Sequence, residues 1–157
     1  MFAQASLDVN ASVKFVGSGE LESELKETHD TANFTGWASR LDVTKHIRQS
    51  RAIVVPSLLY ETQGMVVAEA AALGVPCIVS DSCAGLDFVD NGNTGLWFNG
   101  GNRDSLANAI SRLKNDPVFA KKLGETAYSK YWKSPPNVAA HVQALTECYN
   151  AIISKNK

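Results

Sequence analysis

Short apolar runs alternate with amphipathic stretches through the first two-thirds of this chain. That order is expected of a parallel sheet covered by helices. Residues 13–16 (VKFV) read as a short strand closed by Gly17-Ser18-Gly19, and residues 20–28 as a charged surface helix with Leu21 and Leu25 on its buried face. Residues 33–36 form a second predicted strand and residues 42–49 a helix. Residues 52–55 (AIVV) predict a buried strand stopped by Pro56, because proline cannot continue a central ladder. Residues 65–73, rich in alanine and apolar throughout, suit a buried helix that Gly74 caps and Pro76 keeps from continuing. Residues 76–80 and 94–98 are further strands, the second following the turn Asn91-Gly92-Asn93. From Arg103 onward the pattern is helical, over residues 104–114, 117–131 with a proline in the first turn, and 136–154. In the last of these Val138, Val142, Leu145, Cys148, Tyr149 and Ile152 recur at helical spacing and predict a core-packing face. The expectation is a single α/β domain over residues 1–157, a Rossmann-like parallel sheet flanked by helices.

Composition narrows the function classes. A length of 157 residues with 45% hydrophobic content is that of one soluble domain with a real core. The net charge of −1 gives no reason to expect nucleic acid or an anionic membrane surface, so any phosphate bound here must be held locally. No run approaches the roughly eighteen apolar residues of a membrane span, and MFAQASLDVNAS lacks the regions of a signal peptide, so the expected location is the cytoplasm. Cys77, Cys83 and Cys148 show no metal-ligand or disulfide spacing and read as reduced packing residues. His29, His46 and His141 fall in separate helical stretches and read as surface residues. Ser57 and Ser80 end strands outside any Gly-x-Ser-x-Gly, which argues against a hydrolase nucleophile.

The segment SLLYETQGMVVAEAAALGVP, residues 57–76, carries the chemistry. Glu61 lies in the loop before Gly64, and Glu69 about one turn into the following helix. A carboxylate buried in so apolar a helix without a partner costs several kcal/mol, so something polar should meet Glu69. In open α/β sheets, ligands sit beyond the carboxyl ends of the strands, where loops enter helix N-termini. The amides of Gly64, Met65 and Val66 open a helix at such a place, where free N–H groups and the helix dipole favour a phosphate. Gly17-Ser18-Gly19 is either a second glycine turn onto that edge or simply a tight turn. Carboxylates beside an anion site are suited to accepting hydrogen bonds from hydroxyls, and a nucleotide sugar offers both phosphates and hydroxyls.

Taken in order, Val13-Lys14-Phe15-Val16-Gly17-Ser18-Gly19-Glu20, Asn33-Phe34-Thr35-Gly36-Trp37, Val55-Pro56-Ser57, Tyr60 through Ala70 with its two glutamates, Gly74-Val75-Pro76 with Ser80-Asp81, and Asn91-Gly92-Asn93-Thr94-Gly95-Leu96 resemble one family. They look like the C-terminal, donor-binding half of family-4 retaining glycosyltransferases of GT-B fold, the glycosyl transferases group 1. The resemblance implies transfer of a hexose-type sugar from a nucleotide diphosphate donor to a glycan or lipid-linked acceptor, with no cofactor and no metal. It makes Glu61, the candidate catalytic residue, a contact to hydroxyls of the donor sugar, and gives Glu69 the ribose hydroxyls. It puts the amides of Gly64, Met65 and Val66 against sugar and diphosphate, Trp37 near the base as a stacking or a packing residue, and Gly17 and Gly19 on the nucleotide side.

The departures set limits. Thr62-Gln63 replaces the Gly-Phe that many members carry beside the donor sugar, and Ala84-Gly85-Leu86-Asp87-Phe88 replaces Gly-Gly-x-Pro-Glu, which leaves Asp87 without an expected role. The chain begins at what looks like the end of the domain's first helix. The preceding strand, with the arginine and lysine that clamp the diphosphate, and the N-terminal acceptor domain are therefore expected to be missing. Membrane attachment, where there is any, is expected through that missing half. The chain alone is expected to bind donor weakly and to transfer little. The other readings are a subunit of a split transferase, with an exposed apolar strip for its partner near residues 57–63 and on the C-terminal helix, whose apolar stripe would then in part cover an interface rather than the core, and a non-catalytic nucleotide or sugar-binding module.

Overall fold

The computed structural model describes residues 1–58 and 64–155. Their elements are α1 (Phe2–Asp8), β1 (Lys14–Phe15), α2 (Glu22–Thr28), β2 (Asn33–Phe34), α3 (Arg40–Gln49), β3 (Ile53–Val55), α4 (Met65–Ala72), β4 (Cys77–Ser80), β5 (Gly95–Phe98), α5 (Arg103–Asn115), α6 (Pro117–Lys133) and α7 (Val138–Lys155), with a short 3-10 helix at Ala84–Phe88 that the residue pattern did not predict. Every named strand pair is parallel, as expected. Among the described residues, however, the strands form two sheets, β1-β2 and β3-β4-β5, rather than one.

β4 is the centre of the larger sheet, and all four of its residues are buried. A strand covered on both faces reads as a continuous apolar run, which is why it was visible without alternation. Its side chains still alternate in space. Ile78 joins Leu96, Phe98, Leu106, Leu113 and Leu123 in a core under α1, α5 and α6. Cys77 and Val79 face the other way, into a core with Ile47, Val67, Ala70 and Val89 under α3 and α4. Burying each of the larger side chains stabilises the fold by about 1.5–3 kcal/mol.

The helix ends follow local chemistry. Asn102 and Asp116 cap α5 and α6 by accepting from Ser105 N at 2.9 Å and Phe119 N at 2.8 Å. α4 ends as predicted. Gly74 takes φ +75°, its N–H donates to Ala71 O and that of Val75 donates to Ala70 O, the paired bonds of a Schellman cap. The same turn receives α6 at very close range, since a Cβ on Gly124 would stand 2.1 Å from Gly74 O.

Four expectations are corrected. Leu21 precedes α2 and is 63% exposed, and α2 buries none of its residues. α7 likewise buries none, which corrects the core-packing reading and agrees with the alternative of an exposed apolar stripe on this helix, because spacing shows that a face is apolar and not what covers it. His29 is buried at 2% exposure. It follows α2 with its N–H on Leu25 O, which turns the ring inward, where Nδ1 lies 3.3 Å from Thr31 Oγ1 and Nε2 has no partner. Cys77 and Cys83 are buried as expected, but Cys148 is exposed because it rides on α7.

Candidate functional site

The predicted site residues lie at the ends of strands. β1 and β2 run out into Gly17 and Gly36, which bridge each other through a 3.0 Å bond from Gly17 N to Gly36 O. Both take positive φ, +120° and +65°, values at which a side chain would be strained. Gly19 has room around it, and with Gly17 it borders an open hollow of about 210 Å³ floored by Phe15 and Phe34, whose rings stack at 4.8 Å. Trp37 follows Gly36 and is 81% exposed, so among the described residues its ring is not packed into a core.

Two residues on, Ser39 caps the start of α3. Its hydroxyl accepts from Asp42 N at 3.2 Å and donates to Asp42 Oδ2 at 2.6 Å. Serine and the lysine at position 45, 3.0 Å away, hold the Asp42 carboxyl below its ordinary range. The cap fixes the first turn of α3 and so places Arg40, whose Nη2 lies 4.0 Å from Glu69 Oε1 on α4. Glu69 therefore does meet a polar group, and its side chain is 37% exposed rather than sunk in the apolar core. An exposed pair at that separation contributes less than about 1 kcal/mol, so Arg40 leaves the carboxylate free for other partners.

The amino end of α4 carries no side-chain cap among the described residues. Gly64 offers no capping side chain, and the first helical amide with a partner is that of Val67, 2.9 Å from Gly64 O. The amides of Met65 and Val66 have no acceptor among the described residues. Gly64 is buried against the 3-10 helix so closely that a Cβ would stand 2.5 Å from Gly85 Cα. The sequence showed Gly85 only as a departure from a family pattern; its use as the surface on which α4 starts is not visible there. Arg40 was also missed, since nothing in the sequence ties it to Glu69. Asp81, next to this helix end, is structural: it accepts from Gly100 N at 2.8 Å and its own N–H donates to Phe98 O, which ties the ends of β4 and β5 together. Asp87 is exposed. Glu61 lies outside the described residues. The structure thus brings Glu69 together with the α4 amides, and Gly17 and Gly19 with the turn that carries Trp37. Among the described residues no group of three or more His, Cys, Asp or Glu could hold a metal ion, and no helix is long and apolar enough to cross a membrane.

Parallel strands, helix crossovers and a helix end uncapped among the described residues define an α/β protein whose candidate site lies at the carboxyl edge of its sheet. Residues 2–130 match the family of glycosyl transferases group 1, and the chain belongs to it. It is 27% identical over 132 residues to an uncharacterized glycosyltransferase of Methanocaldococcus jannaschii, covering 78% of this chain and 34% of that protein. It is 33% identical over 111 residues to the UDP-Gal:alpha-D-GlcNAc-diphosphoundecaprenol alpha-1,3-galactosyltransferase of Escherichia coli, covering 66% of this chain and 28% of that one. The chain thus spans about a third or less of these curated relatives. Among solved structures, Anabaena HepE in complex with UDP and glucose superposes with TM-score 0.80 at 18% identity, over 96% of this chain and 44% of that one. The sucrose-phosphate synthase of Thermosynechococcus elongatus does so with TM-score 0.78 at 24% identity, over 98% and 42%. At those identities the likeness shows the fold, which is that of GT-B glycosyltransferases.

Proposed function

We propose that this chain is the nucleotide-sugar-binding half of a retaining glycosyltransferase that moves a hexose-type sugar from a nucleotide diphosphate to a glycan or lipid-linked acceptor. The observation that carries the reading is the start of α4 on Gly85, uncapped among the described residues, with Glu69 one turn further along and partly exposed. In this reading the Gly64, Met65 and Val66 amides and the α4 dipole hold the sugar-diphosphate, Glu69 accepts from the ribose hydroxyls, and Glu61 accepts from hydroxyls of the sugar. Trp37 stacks on the base, and Gly17 and Gly19 leave room for it. The bond between sugar and diphosphate breaks as the acceptor oxygen attacks from the same face. Negative charge developing on the diphosphate is then the charge to stabilise. This chain offers the dipole for that task. The chain spans about a third or less of the curated relatives it matches, so transfer by this chain alone is expected to be negligible.

The strand order fits a doubly wound sheet with one further strand. A doubly wound sheet runs 3-2-1-4-5-6, and here β2-β1 and β3-β4-β5 reproduce the two flanks of that order with the first strand left out between β1 and β3. The acceptor half, continuous with this chain or a partner subunit, would cover the apolar faces that stand open, the α7 stripe and Leu58.

UDP is the nucleotide to test first, because HepE was solved with UDP and glucose and the Escherichia coli relative is named for UDP-Gal. Calorimetric titration with UDP, GDP, ADP and their sugars should give weak, saturable binding of one nucleotide, reduced about tenfold or more in Glu69→Ala, the scale of a hydrogen bond to a charged group. Unchanged affinity in that variant would remove the ribose assignment, and turnover by the purified chain would remove the reading of it as half an enzyme.

A further inference from the structure

A second, larger hollow of about 440 Å³ opens where α3 leads into β3 and α4 into β4, at the amino edge of the sheet and so opposite the candidate donor site. Arg48 and Arg51 stand on one wall and Lys121 on the other, with Gln49 and Ser50 adding hydrogen-bonding groups, and no carboxylate lines it. The chain as a whole carries a charge of −1, so three cations around one hollow are a local arrangement and not a general surplus. Like charges gathered in this way repel unless an anion joins them. Arg51 is held in place by a 2.7 Å bond from Nη1 to Lys114 O, which leaves the rest of its guanidinium to donate elsewhere. The positive end of α6, a helix of 17 residues, also borders the space through Pro117 and Ala120. The acids nearest on α6 do not fill it. Asp116 accepts from Phe119 N at 2.8 Å, and Glu125 lies 3.7 Å from Lys121 in a pair exposed on both sides, which competes weakly.

We propose that this hollow is an anion site for a phosphate-bearing ligand, a phosphomonoester or phosphodiester held by Arg48, Arg51 and Lys121. Its volume is that of a small-molecule site rather than of a lone oxyanion, so the phosphate arrives attached to a larger group. Two exposed rings continue its rim: Tyr128 lies beside Gly74, which lines the hollow, and Trp132 donates from Nε1 to Ala72 O at 3.1 Å. Rings with an apolar body and a wet edge suit a membrane interface, which makes a lipid headgroup one source of the phosphate and a soluble phosphate ester the other. The proposal is independent of the donor reading, since the two sites share no residue.

The test uses the 157-residue chain. It is titrated with inorganic phosphate and with glycerol 3-phosphate, and sedimented with phosphatidylcholine vesicles with and without phosphatidylglycerol. The Arg48→Ala/Lys121→Ala variant should weaken whichever binding is seen by about thirtyfold, about fivefold for each cation. Circular dichroism confirms that it is folded. A Lys26→Ala/Lys133→Ala control removes the same charge outside the hollow and should change binding by less than about twofold, and Glu69→Ala should leave it unchanged. Saturable binding of the small phosphates supports a soluble ligand, and sedimentation only with phosphatidylglycerol supports a headgroup. Absence of binding in both arms, or equal losses in the double variant and the control, overturns the proposal.

Discussion

Replacing Gly64 by alanine should damage the candidate donor site without altering a charge. The backbone there has φ −75°, which any residue adopts, so the effect is steric and not conformational. The new Cβ would stand 2.5 Å from Gly85 Cα and 2.9 Å from Gly85 N. Carbon contacts settle at roughly 3.5 Å or more, so about 1 Å must be found. Gly85 cannot readily give it: a 3-10 turn holds the segment through Leu86 N to Cys83 O and Val89 N to Leu86 O, and Val67 Cγ2 already lies 2.7 Å from where a Gly85 Cβ would be. The start of α4 therefore lifts. Overpacking of this kind costs about 1–3 kcal/mol, and for a chain of this size each kcal/mol lowers Tm by about 2–4 °C, so the melting temperature should fall by about 2–12 °C. Moving the Met65 and Val66 amides by about 1 Å takes a hydrogen bond beyond its useful length, so UDP affinity should fall about tenfold as well. Gly19→Ala separates the two effects. Nothing lies within 4 Å of its Cβ position, so Tm should hold while binding weakens if the nucleotide approaches there. Thermal unfolding by circular dichroism with UDP calorimetry reads both quantities. A Gly64→Ala chain with unchanged Tm and unchanged affinity would refute the reasoning.

Gly124→Ala tests the packing of α6 on the α4–β4 turn: its Cβ would meet Gly74 O at 2.1 Å, so the loss of stability should exceed that of Gly64→Ala, with Tm again as the readout. A maleimide at about pH 8 should label Cys148 alone in the native chain. Burial, with Cys83 as a lesser cause, pushes the Cys77 thiol up to about 12, so it should react only after unfolding, and mass spectrometry of the labelled peptides checks this. Asp8 accepts from Arg103 Nε at 2.6 Å, and this bond holds its carboxyl below the usual 3.8. A carboxylate whose folded value is depressed contributes stability above the unfolded value and loses it as pH falls through the folded one. Asp8→Asn should therefore lower Tm slightly at neutral pH, and the gap to the parent should close on acidification below 3.8.

The elements legible in the sequence were those whose signal is local. β4 was readable because a strand buried on both faces needs no alternation, and the end of α4 because Gly74 and Pro76 permit little else. The buried face given to Leu21 and the core-packing reading of α7 failed for one reason: an apolar stripe or pair reports a preference for burial but carries no information about a partner. His29 turned out buried because the end of a helix need not lie on its solvated face. At the site, helix start and glutamate were visible as a spacing of residues, whereas the Gly64–Gly85 contact joins positions 21 apart and the approach of Arg40 to Glu69 joins positions 29 apart. Contacts between elements of that kind leave no periodic trace.

The divided sheet links these observations. β3 reads as an interior strand, Ile53-Val54-Val55 without alternation, yet all three residues are only partly buried, while the equally apolar β4 is wholly buried. A continuous apolar run is selected where both faces are covered and both edges are paired. β4 has neighbours on both sides; β3 has β4 on one side and, among the described residues, no strand on the other. The composition of β3 thus matches a position with one more neighbour than it has, and the doubly wound order puts that neighbour between β1 and β3.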